Sequence, residues 1–403
     1  MFSPNSIAVI GASTDPSKWG CWLAEYIVQH DKIRRVYLVN PRAAVIHGRQ
    51  SLATIKEIPE QLDLAIVVVP AKHFEKTIDE LLDHGVQTIV GISADVTEDI
   101  LKKCNDAGVT FIGPNCAGIW DSYSPLHCLP IADFRPGPVS LISQSGGVIV
   151  DLGHRLDEVG LGYSKVVSIG NHNNCVNDLI RAMDADVHTK VIAIYAESAL
   201  QPLPTDTKKP VIVMMPMVTE ASIRAARSHT NSTPVKSHYV RTLREFAASI
   251  QFLLSGQRVI GDRVVVLTDT GGMGVLLAAE VESCGLRMNP LSQNLKNKLH
   301  VLPQVVLNNP IDLVGIESAY TTPMVKAFGV LQDADEVDSI IVVVMTDEGV
   351  TRDISYALDM AENIKKPTVF VCKNFNTPGT FALLKERVPV YKDIETAVNV
   401  LCG

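Results

Sequence analysis

Short apolar runs that feed a glycine-bearing turn and then a helical pattern recur along all 403 residues of this chain, and that order leaves few folds open. In the first third, residues 7–10, 36–39, 64–69, 88–92 and 110–112 are mostly apolar and β-rich, as expected of parallel strands covered on both faces. Helical patterns lie between them, for example over 74–84 and 98–107. This rhythm predicts a doubly wound parallel sheet, the Rossmann-like class of α/β fold. Residues 121–138 carry Pro125, Pro130, Pro136, Gly137 and Pro138, break the rhythm and read as a linker. A second α/β unit follows, with strand patterns at 139–142, 163–168, 191–195 and 211–214 and helices from Gly147 and around 177–183. A helical run at 239–254 and a turn-rich stretch at 255–262 lead to a third unit. It has strand patterns at 264–267, 340–345 and 368–372 and helices after Gly274 and around 354–364. The length itself predicts roughly two or three domains.

Composition narrows the function classes. Hydrophobic residues at 46% and charged residues at 20% supply the core of a globular protein. A net charge of -8, with no Lys/Arg block or aromatic-basic stripe, argues against a nucleic-acid partner. The N-terminus runs straight into a strand pattern without a leader, and the apolar runs are too short to span a bilayer. A cytoplasmic protein without membrane association is expected. The cysteines at 21, 104, 116, 128, 175, 284, 372 and 402 form no C-x-x-C pair, which speaks against zinc and thioredoxin-like chemistry. No metal site is expected, and most of these cysteines read as reduced, buried small hydrophobes.

The chemistry concentrates in the turns. Gly11-Ala12-Ser13-Thr14-Asp15-Pro16-Ser17-Lys18-Trp19-Gly20 follows the first strand and can wrap a phosphate with backbone N–H groups. It is not G-x-G-x-x-G. The second strand ends Leu38-Val39-Asn40-Pro41, without the acid that holds ribose hydroxyls in dinucleotide-binding domains. That counts against NAD and leaves a phosphate-bearing nucleotide such as CoA open. Val68-Val69-Pro70 and Ile92-Ser93-Ala94 end the third and fourth strands, where ligands of open α/β sheets bind, and Gly113-Pro114-Asn115-Cys116-Ala117-Gly118 closes the fifth. Ser143-Gln144-Ser145-Gly146-Gly147 and Thr270-Gly271-Gly272-Met273-Gly274 each open a helix, whose free N–H groups and positive dipole end suit an anion.

Together with Ser228-His229-Thr230 in a loop-like stretch, these turns point to a phosphoryl-handling site. An imidazole can take a phosphoryl group and pass it on, splitting one transfer into two easier ones. A nearby carboxylate would hold the ring tautomer, and paired helix N-termini would offset charge on the phosphoryl. Taken alone, His229 is more readily a surface or capping histidine; His172 and His238 default to surface or structural roles.

In order, the series V-I-G-A-S, V-N-P, V-V-P, G-P-N-C-x-G-I, S-Q-S-G-G, S-I-G-N, S-H-T, T-G-G-x-G and N-P-I-D-L resembles the α subunit of the NDP-forming acyl-CoA synthetases. That is the superfamily of succinyl-CoA synthetase and ADP-forming acetyl-CoA synthetase, and the match covers nearly the whole chain. The resemblance implies a CoA-binding Rossmann-like domain at 1–124, a ligase domain with a phosphohistidine at 125–256, and a second flavodoxin-like ligase domain at 257–403. It implies that Gly11, Ala12, Ser13 and Lys18 hold CoA phosphates and that Asn40, Pro41, Val69, Pro70 and Ser93 line the rest of the CoA groove. Asn115 would lie near the acyl thioester. Ser145 and Gly146 would sit at one phosphate-binding helix, Gly271 and Gly272 at the other. His229 matches the phosphorylated histidine, and Glu197, in Ile194-Tyr195-Ala196-Glu197, matches the family's acid. The implied activity is carboxylic acid + CoA + NTP ⇌ acyl-CoA + NDP + phosphate.

Two departures from the family pattern define the alternatives. Thr230-Asn231-Ser232-Thr233-Pro234-Val235 lacks the family's glycine after the histidine, and the stretch between Glu197 and Pro210 is shortened, without the helix expected there. These favour, as the alternative, a non-catalytic CoA-binding scaffold or sensor derived from the family. An NAD-dependent oxidoreductase is a third reading, disfavoured by Asn40 at the end of the second strand. No ATP-grasp portion and no G-x-x-x-x-G-K-[ST] loop is visible. ATP or ADP with Mg is therefore expected on a separate ATP-grasp β subunit, in a heteromer acting on a small carboxylic acid or acyl-CoA.

Overall fold

The apolar runs pair into three mainly parallel sheets in the computed structural model, which describes residues 1–29, 35–93, 98–216, 240, 242–300, 306–313, 322–345, 355–373, 384 and 387–402. The chain divides into two units, Met1–Leu243 with two of these sheets and Arg244–Gly403 with the third. In the first sheet β1 (Ser6–Ile10), β2 (Arg35–Val39), β5 (Leu64–Val67), β6 (Thr88–Gly91) and β7 (Thr110–Ile112) run parallel in the order β2-β1-β5-β6-β7. A small antiparallel pair, β3 (Val45–Ile46) and β4 (Arg49–Gln50), stands apart. Ile7, Val9, Leu64, Ile66 and Val90 pack into one core with Leu23, Ala24 and Ile27 of α1 (Trp19–Gln29). Ala8, Ile10, Ala65, Val67 and Ile89 pack into another with Phe74, Ile78 and Leu81 of α2 (Ala71–His84) and Ile100, Leu101 and Cys104 of α3 (Glu98–Asp106). Successive strand side chains point to opposite faces, so helices on both sides demand unbroken apolar runs.

The second sheet has the order β13-β12-β10-β11-β8-β9. Its strands are β8 (Ile119–Asp121), β9 (His127–Cys128), β10 (Pro136–Ser143), β11 (Tyr163–Ser168), β12 (Val191–Tyr195) and β13 (Val211–Met214). Residues 121–138 are therefore not a linker. The end of β8, all of β9 and the start of β10 fall inside them; β8 pairs antiparallel with β11, and β9 with β8. Aromatic packing outweighs the prolines: Trp120 stacks on His127 at 4.0 Å and meets Phe134 edge-on at 5.5 Å. Pro136 and Pro138 sit at the irregular start of β10, where the register shifts and a missing N–H is tolerated. The helices here are α4 (Gly146–Glu158) and α5 (Val176–Ala185), while residues 196–210, all described, contain no helix.

In the second unit β14 (Val264–Thr268), β15 (Val306–Leu307), β16 (Ile311–Asp312), β17 (Ser339–Met345), β18 (Thr368–Lys373) and β19 (Val390–Tyr391) follow the order β15-β16-β14-β17-β18-β19. All pairs are parallel except β15 with β16. Its helices are α6 (Leu243–Leu254), α7 (Gly271–Ser283), α8 (Gln293–Leu299), α9 (Thr322–Gln332), α10 (Ser355–Ala361) and α11 (Ile394–Asn399). Helix α7 starts at Gly271, before the Gly274 that the sequence pattern marked, and Tyr239 lies outside the described residues.

One topology recurs. In each sheet the strand that leads into the glycine turn (β1, β10, β14) has the next parallel strand on one side and the one after it on the other. That is the switch point of an open α/β sheet, where the connections diverge and leave a crevice at the strand C-termini. Among the described residues no helix is long and apolar enough to cross a membrane. Six cysteines are free and buried, as expected, whereas Cys284 and Cys402 form a disulfide across a sequence separation of 118.

The second unit carries an acid-sensitive lock. Asp338 accepts hydrogen bonds from the Arg263 side chain at 2.8 and 2.6 Å and from its backbone N–H at 2.9 Å. These bonds hold the Asp338 carboxyl at about 2. An ordinary aspartate titrates at about 3.9, so the native state favours the ionised form. The stabilisation is complete above the unfolded-state value and is lost as pH falls toward the folded one. Urea unfolding of the wild type is therefore expected to show a loss of stability between about pH 4 and pH 2 that is smaller in Asp338→Asn. Equal acid slopes for the two proteins would refute the assignment.

Candidate functional site

Gly11 leaves β1 at φ 94°, a conformation open to glycine, and a Cβ there would lie 2.8 Å from the Val68 carbonyl oxygen at the end of β5. The turn is largely self-satisfied. Gly11 N–H donates to Val39 O (3.0 Å), Ser13 N–H to Gly20 O (3.2 Å) and Lys18 N–H to Asp15 O (3.0 Å). Ala12 and Ser13 are buried. The Lys18 ammonium is exposed and lies 3.0 Å from the Asp15 carboxylate. Hydrogen bonds from Ser17, reinforced by Lys18, hold that carboxyl at about 2, so it is ionised at neutral pH. At the end of β2, Asn40 Nδ2 donates to Ala12 O at 2.6 Å, fastening β2 to the turn, and Pro41 beside it is exposed. Val69 and Pro70 follow β5. The Ser93 hydroxyl donates to Val69 O, and Asn115 N–H to Ser93 O at 3.0 Å. The expected CoA-groove residues thus line one edge of the first sheet. Cys116, next to Asn115, is buried and its thiol is pushed up to about 12 by desolvation, so it stays a thiol.

Asn115 also meets the second sheet. Its Nδ2 donates to Asn171 Oδ1 at 3.0 Å, and Asn171 N–H donates to Pro114 O at 3.0 Å. At the C-terminal end of β10 the Ser143 hydroxyl donates to Ser145 O (2.8 Å) and accepts from Ser145 N–H (3.1 Å), closing the turn. Ser145 is the N-cap of α4, its Oγ accepting from Val148 N–H at 3.4 Å. That bond uses a lone pair and leaves the hydroxyl proton able to donate. The N–H groups of Gly146 and Gly147 have no intrahelical acceptor. Among the described residues a Cβ on Gly147 would meet only Ser145 Oγ, at 3.9 Å, so they leave room for a ligand to approach this backbone closely.

Glu197, just past β12, is buried, and its Oε1 accepts from Tyr195 Oη at 3.2 Å. Burial, with the Glu197 charge beside it, pushes the Tyr195 hydroxyl well above its ordinary value. Gln144 is a residue that sequence reasoning passed over, although a glutamine between two serines in a glycine turn was the available signal. It is buried, and its Oε1 accepts from Glu197 N–H at 2.6 Å, Ser198 N–H at 3.1 Å and Ser198 Oγ at 3.2 Å. Its Nε2 donates to Gly170 O at 3.4 Å. Asn115, Glu197, Ser145 and Gly146 are thereby joined through Asn171, Gly170 and Gln144.

The turn before α7 repeats this construction in the second unit. The Thr268 hydroxyl donates to Thr270 O and accepts from Thr270 N–H, both at 3.0 Å, as Ser143 does with Ser145. Where the first turn has Gln144, this one has the buried Asp269. A Cβ on Gly271 would lie 2.8 Å from Asp312 Oδ2, whereas no atom of the described residues lies within 4 Å of one on Gly272. Among the described residues the start of α7 is clear at Gly272, and its Gly271 side faces a carboxylate. His229 lies outside the described residues, and among the described residues no group of three or more His, Cys, Asp or Glu is arranged to hold a metal ion.

Comparison with known proteins bears on these geometries. Residues 5–121 match the family described as CoA binding domain, and residues 136–251 match the succinyl-CoA ligase like flavodoxin domain. The chain is 31% identical over 344 residues to acetate–CoA ligase [ADP-forming] II subunit alpha of Pyrococcus furiosus, covering 78% of this chain and 75% of the relative. It is 28% identical to the I subunit alpha of the same organism, over 100% of this chain and 96% of the relative. Among solved structures, the dinucleotide forming acetyl-coenzyme A synthetase 1 of Ca. Korarchaeum cryptofilum, in complex with phosphate and ADP, matches with a TM-score of 0.78 and 25% identity, covering 100% of this chain and 94% of that one.

Proposed function

The chain belongs to the α-subunit family of the ADP-forming acyl-CoA synthetases, in the succinyl-CoA ligase superfamily, and on that premise we propose that it is the α subunit of an acid–CoA ligase working through a phosphohistidine. The observation that carries this reading is the convergence in one unit of an open α4 N-terminus, the buried Glu197 and the Asn115–Asn171 pair, all bridged by hydrogen bonds. Residues 1–124 are assigned to CoA, 125–256 to the histidine-bearing ligase domain and 257–403 to the second ligase domain, with β8 lending a strand to the second sheet and α6 packing in the second unit. In the synthetic direction His229 takes the terminal phosphoryl of ATP, held with Mg by an ATP-grasp β subunit, and releases ADP. It hands the phosphoryl to a small carboxylic acid; attack of the CoA thiol on the acyl phosphate then yields acyl-CoA and free phosphate.

Each step has residues suited to it. Lys18 and the start of α1 meet the CoA phosphates, with Gly11, Ala12 and Ser13 shaping the loop, while Asn40, Pro41, Val69, Pro70 and Ser93 line the groove beyond. Ser145 and Gly146 take the transferring phosphoryl at α4, and Gly271 and Gly272 take it at α7, where N–H groups are worth most against charge developing in a water-poor site. Glu197 orients the imidazole and offsets its cationic phosphorylated form. The names of the two Pyrococcus relatives, each a subunit alpha, support a separate partner.

A second reading, a CoA-binding protein without turnover, is favoured by the helix-free segment after Glu197. It is pinned to α5 by Asn177 Nδ2 on Pro202 O (3.2 Å) and by Asp184 Oδ1 on the N–H groups of Lys208 and Lys209 (3.0 and 2.9 Å). Intact-mass analysis after incubation with ATP, Mg and the β subunit separates the two. One acid-labile phosphoryl adduct, discharged by CoA plus substrate acid, is expected. No adduct, from a β subunit proven competent with another α subunit, would favour the second reading.

A further inference from the structure

We propose that Gln144 is a positioning residue for phosphoryl transfer: its side-chain amide fixes the loop that carries Glu197 in register with the N-terminus of α4. The inference rests on the phosphohistidine reading and adds a residue that acts through its neighbours.

The geometry is specific. β10 and β12 are neighbours at the switch point, so the turn after β10 and the loop after β12 form the two lips of one crevice. Main-chain pairing carries these lips only as far as Gln144 N–H on Tyr195 O (3.1 Å). Beyond it, the Gln144 side chain takes over, bonding both N–H groups that follow the strand, at Glu197 and Ser198, and the Ser198 hydroxyl. Its other end reaches Gly170 O, in the loop that touches Asn115. One buried amide thus ties three loops, using its oxygen as acceptor and its nitrogen as donor. The loop after β12 contains no helix of its own; α5 and Asn173 hold it further along, Asn173 Nδ2 donating to Ala199 O at 2.6 Å, and the Gln144 amide holds its start at Glu197 and Ser198. The matching position before α7 holds Asp269, whose Oδ1 accepts from the neighbouring Thr270 hydroxyl at 3.0 Å, so the turn itself does not require an amide. The amide is required by what Gln144 reaches.

Glutamine to methionine keeps the length of the side chain and removes both functions. In the complex with the β subunit, Gln144→Met is expected to lower kcat about 10²-fold, the effect of misplacing a group by roughly 1 Å. The KM for CoA, set on the first sheet, should change less than about twofold. Amide hydrogen exchange at Glu197 and Ser198 should accelerate. Gln144→Glu gives the chemical signature. As a neutral acid it presents one donor and one acceptor, as the amide does; ionised, it can only accept and loses the Gly170 bond. Burial and the Glu197 charge nearby push the new carboxyl upward, while the Glu197 N–H, Ser198 N–H and Ser198 hydroxyl donors at its oxygen pull it down. In either protonation state the glutamate keeps the acceptor at Glu197 and Ser198, so the kcat of Gln144→Glu should lie between those of wild type and Gln144→Met.

The control is Gln332→Met in the second unit. Gln332 is equally buried, with Oε1 accepting from the N–H groups of Lys365 and Lys366, both at 2.7 Å, and Nε2 donating to Thr368 Oγ1 at 3.0 Å. Its loss should lower stability with kcat unchanged. If Gln144→Met keeps kcat within twofold of wild type, or loses no more than Gln332→Met, the positioning role is overturned. If the wild type itself shows no turnover with the β subunit, the phosphohistidine reading has failed. Exchange then decides the positioning: acceleration at Glu197 and Ser198 in Gln144→Met upholds the tie, and unchanged exchange removes it.

Discussion

His229→Ala is expected to leave the chain folded and able to bind CoA while lowering turnover with the β subunit on the order of 10⁴-fold or more. The magnitude follows from what the imidazole would do. Without a nucleophile on this chain the phosphoryl group has no carrier between ATP and the carboxylic acid, and electrostatic stabilisation at α4 and α7 has nothing to act upon. Removing one member of a group that acts as a unit costs nearly as much as removing all of it. The phosphoryl adduct seen by intact mass should vanish in the same variant. The stabilisation by CoA in a thermal-shift assay should be unchanged, because the assigned CoA residues lie on the first sheet. Residual turnover above about one part in a hundred, or an adduct that survives the substitution, would place the phosphoryl carrier elsewhere.

How much of this was legible in the sequence depends on how local each determinant is. The three parallel sheets could be read because strands covered on both faces leave continuous runs such as Ser6–Ile10 and Val264–Thr268, each followed by a glycine turn. Short antiparallel strands left no comparable trace. The strands at Ile119–Asp121 and His127–Cys128 are three and two residues long, sit among prolines and exist because Trp120 and Phe134 pack there, a contact pattern that no window of sequence displays. The start of α7 was read late because Gly271, Gly272 and Gly274 are poor helix formers. Tertiary packing of Met273 and Leu277 overrides that propensity. The site divides the same way. Motif residues such as Ser145, Gly146 and Asn115 lie at helix starts and strand ends, which sequence marks. The partners of Gln144 lie 53 and 54 residues away, at Glu197 and Ser198, and the disulfide spans 118 residues, so neither could be found by local pattern.

Gly170→Ala is expected to destabilise the first unit by roughly 2–5 kcal/mol and to lower turnover by about 10²-fold. Gly170 sits at φ 60°, and a Cβ there would lie 2.0 Å from Pro114 O and 2.6 Å from Asn115 O. The left-handed backbone alone would cost an alanine about 1–2 kcal/mol. The overlap is the larger effect, because both atoms are main-chain oxygens and can yield only if the loops separate; overpacking of this kind costs about 1–3 kcal/mol. Separation would pull Asn171 from Asn115 and the Gly170 carbonyl from Gln144, opening the bridge between the first sheet and the Glu197 loop. Gly108→Ala isolates the backbone contribution, since Gly108 has φ 69° and no atom of the described residues within 4 Å of where its Cβ would be. Urea unfolding of both variants should show Gly108→Ala losing about 1–2 kcal/mol with normal turnover, and Gly170→Ala losing more of both. If Gly170→Ala proves no less stable than Gly108→Ala, the loops are not in contact as described; if it is less stable yet turns over normally, the contact exists but does not position the site.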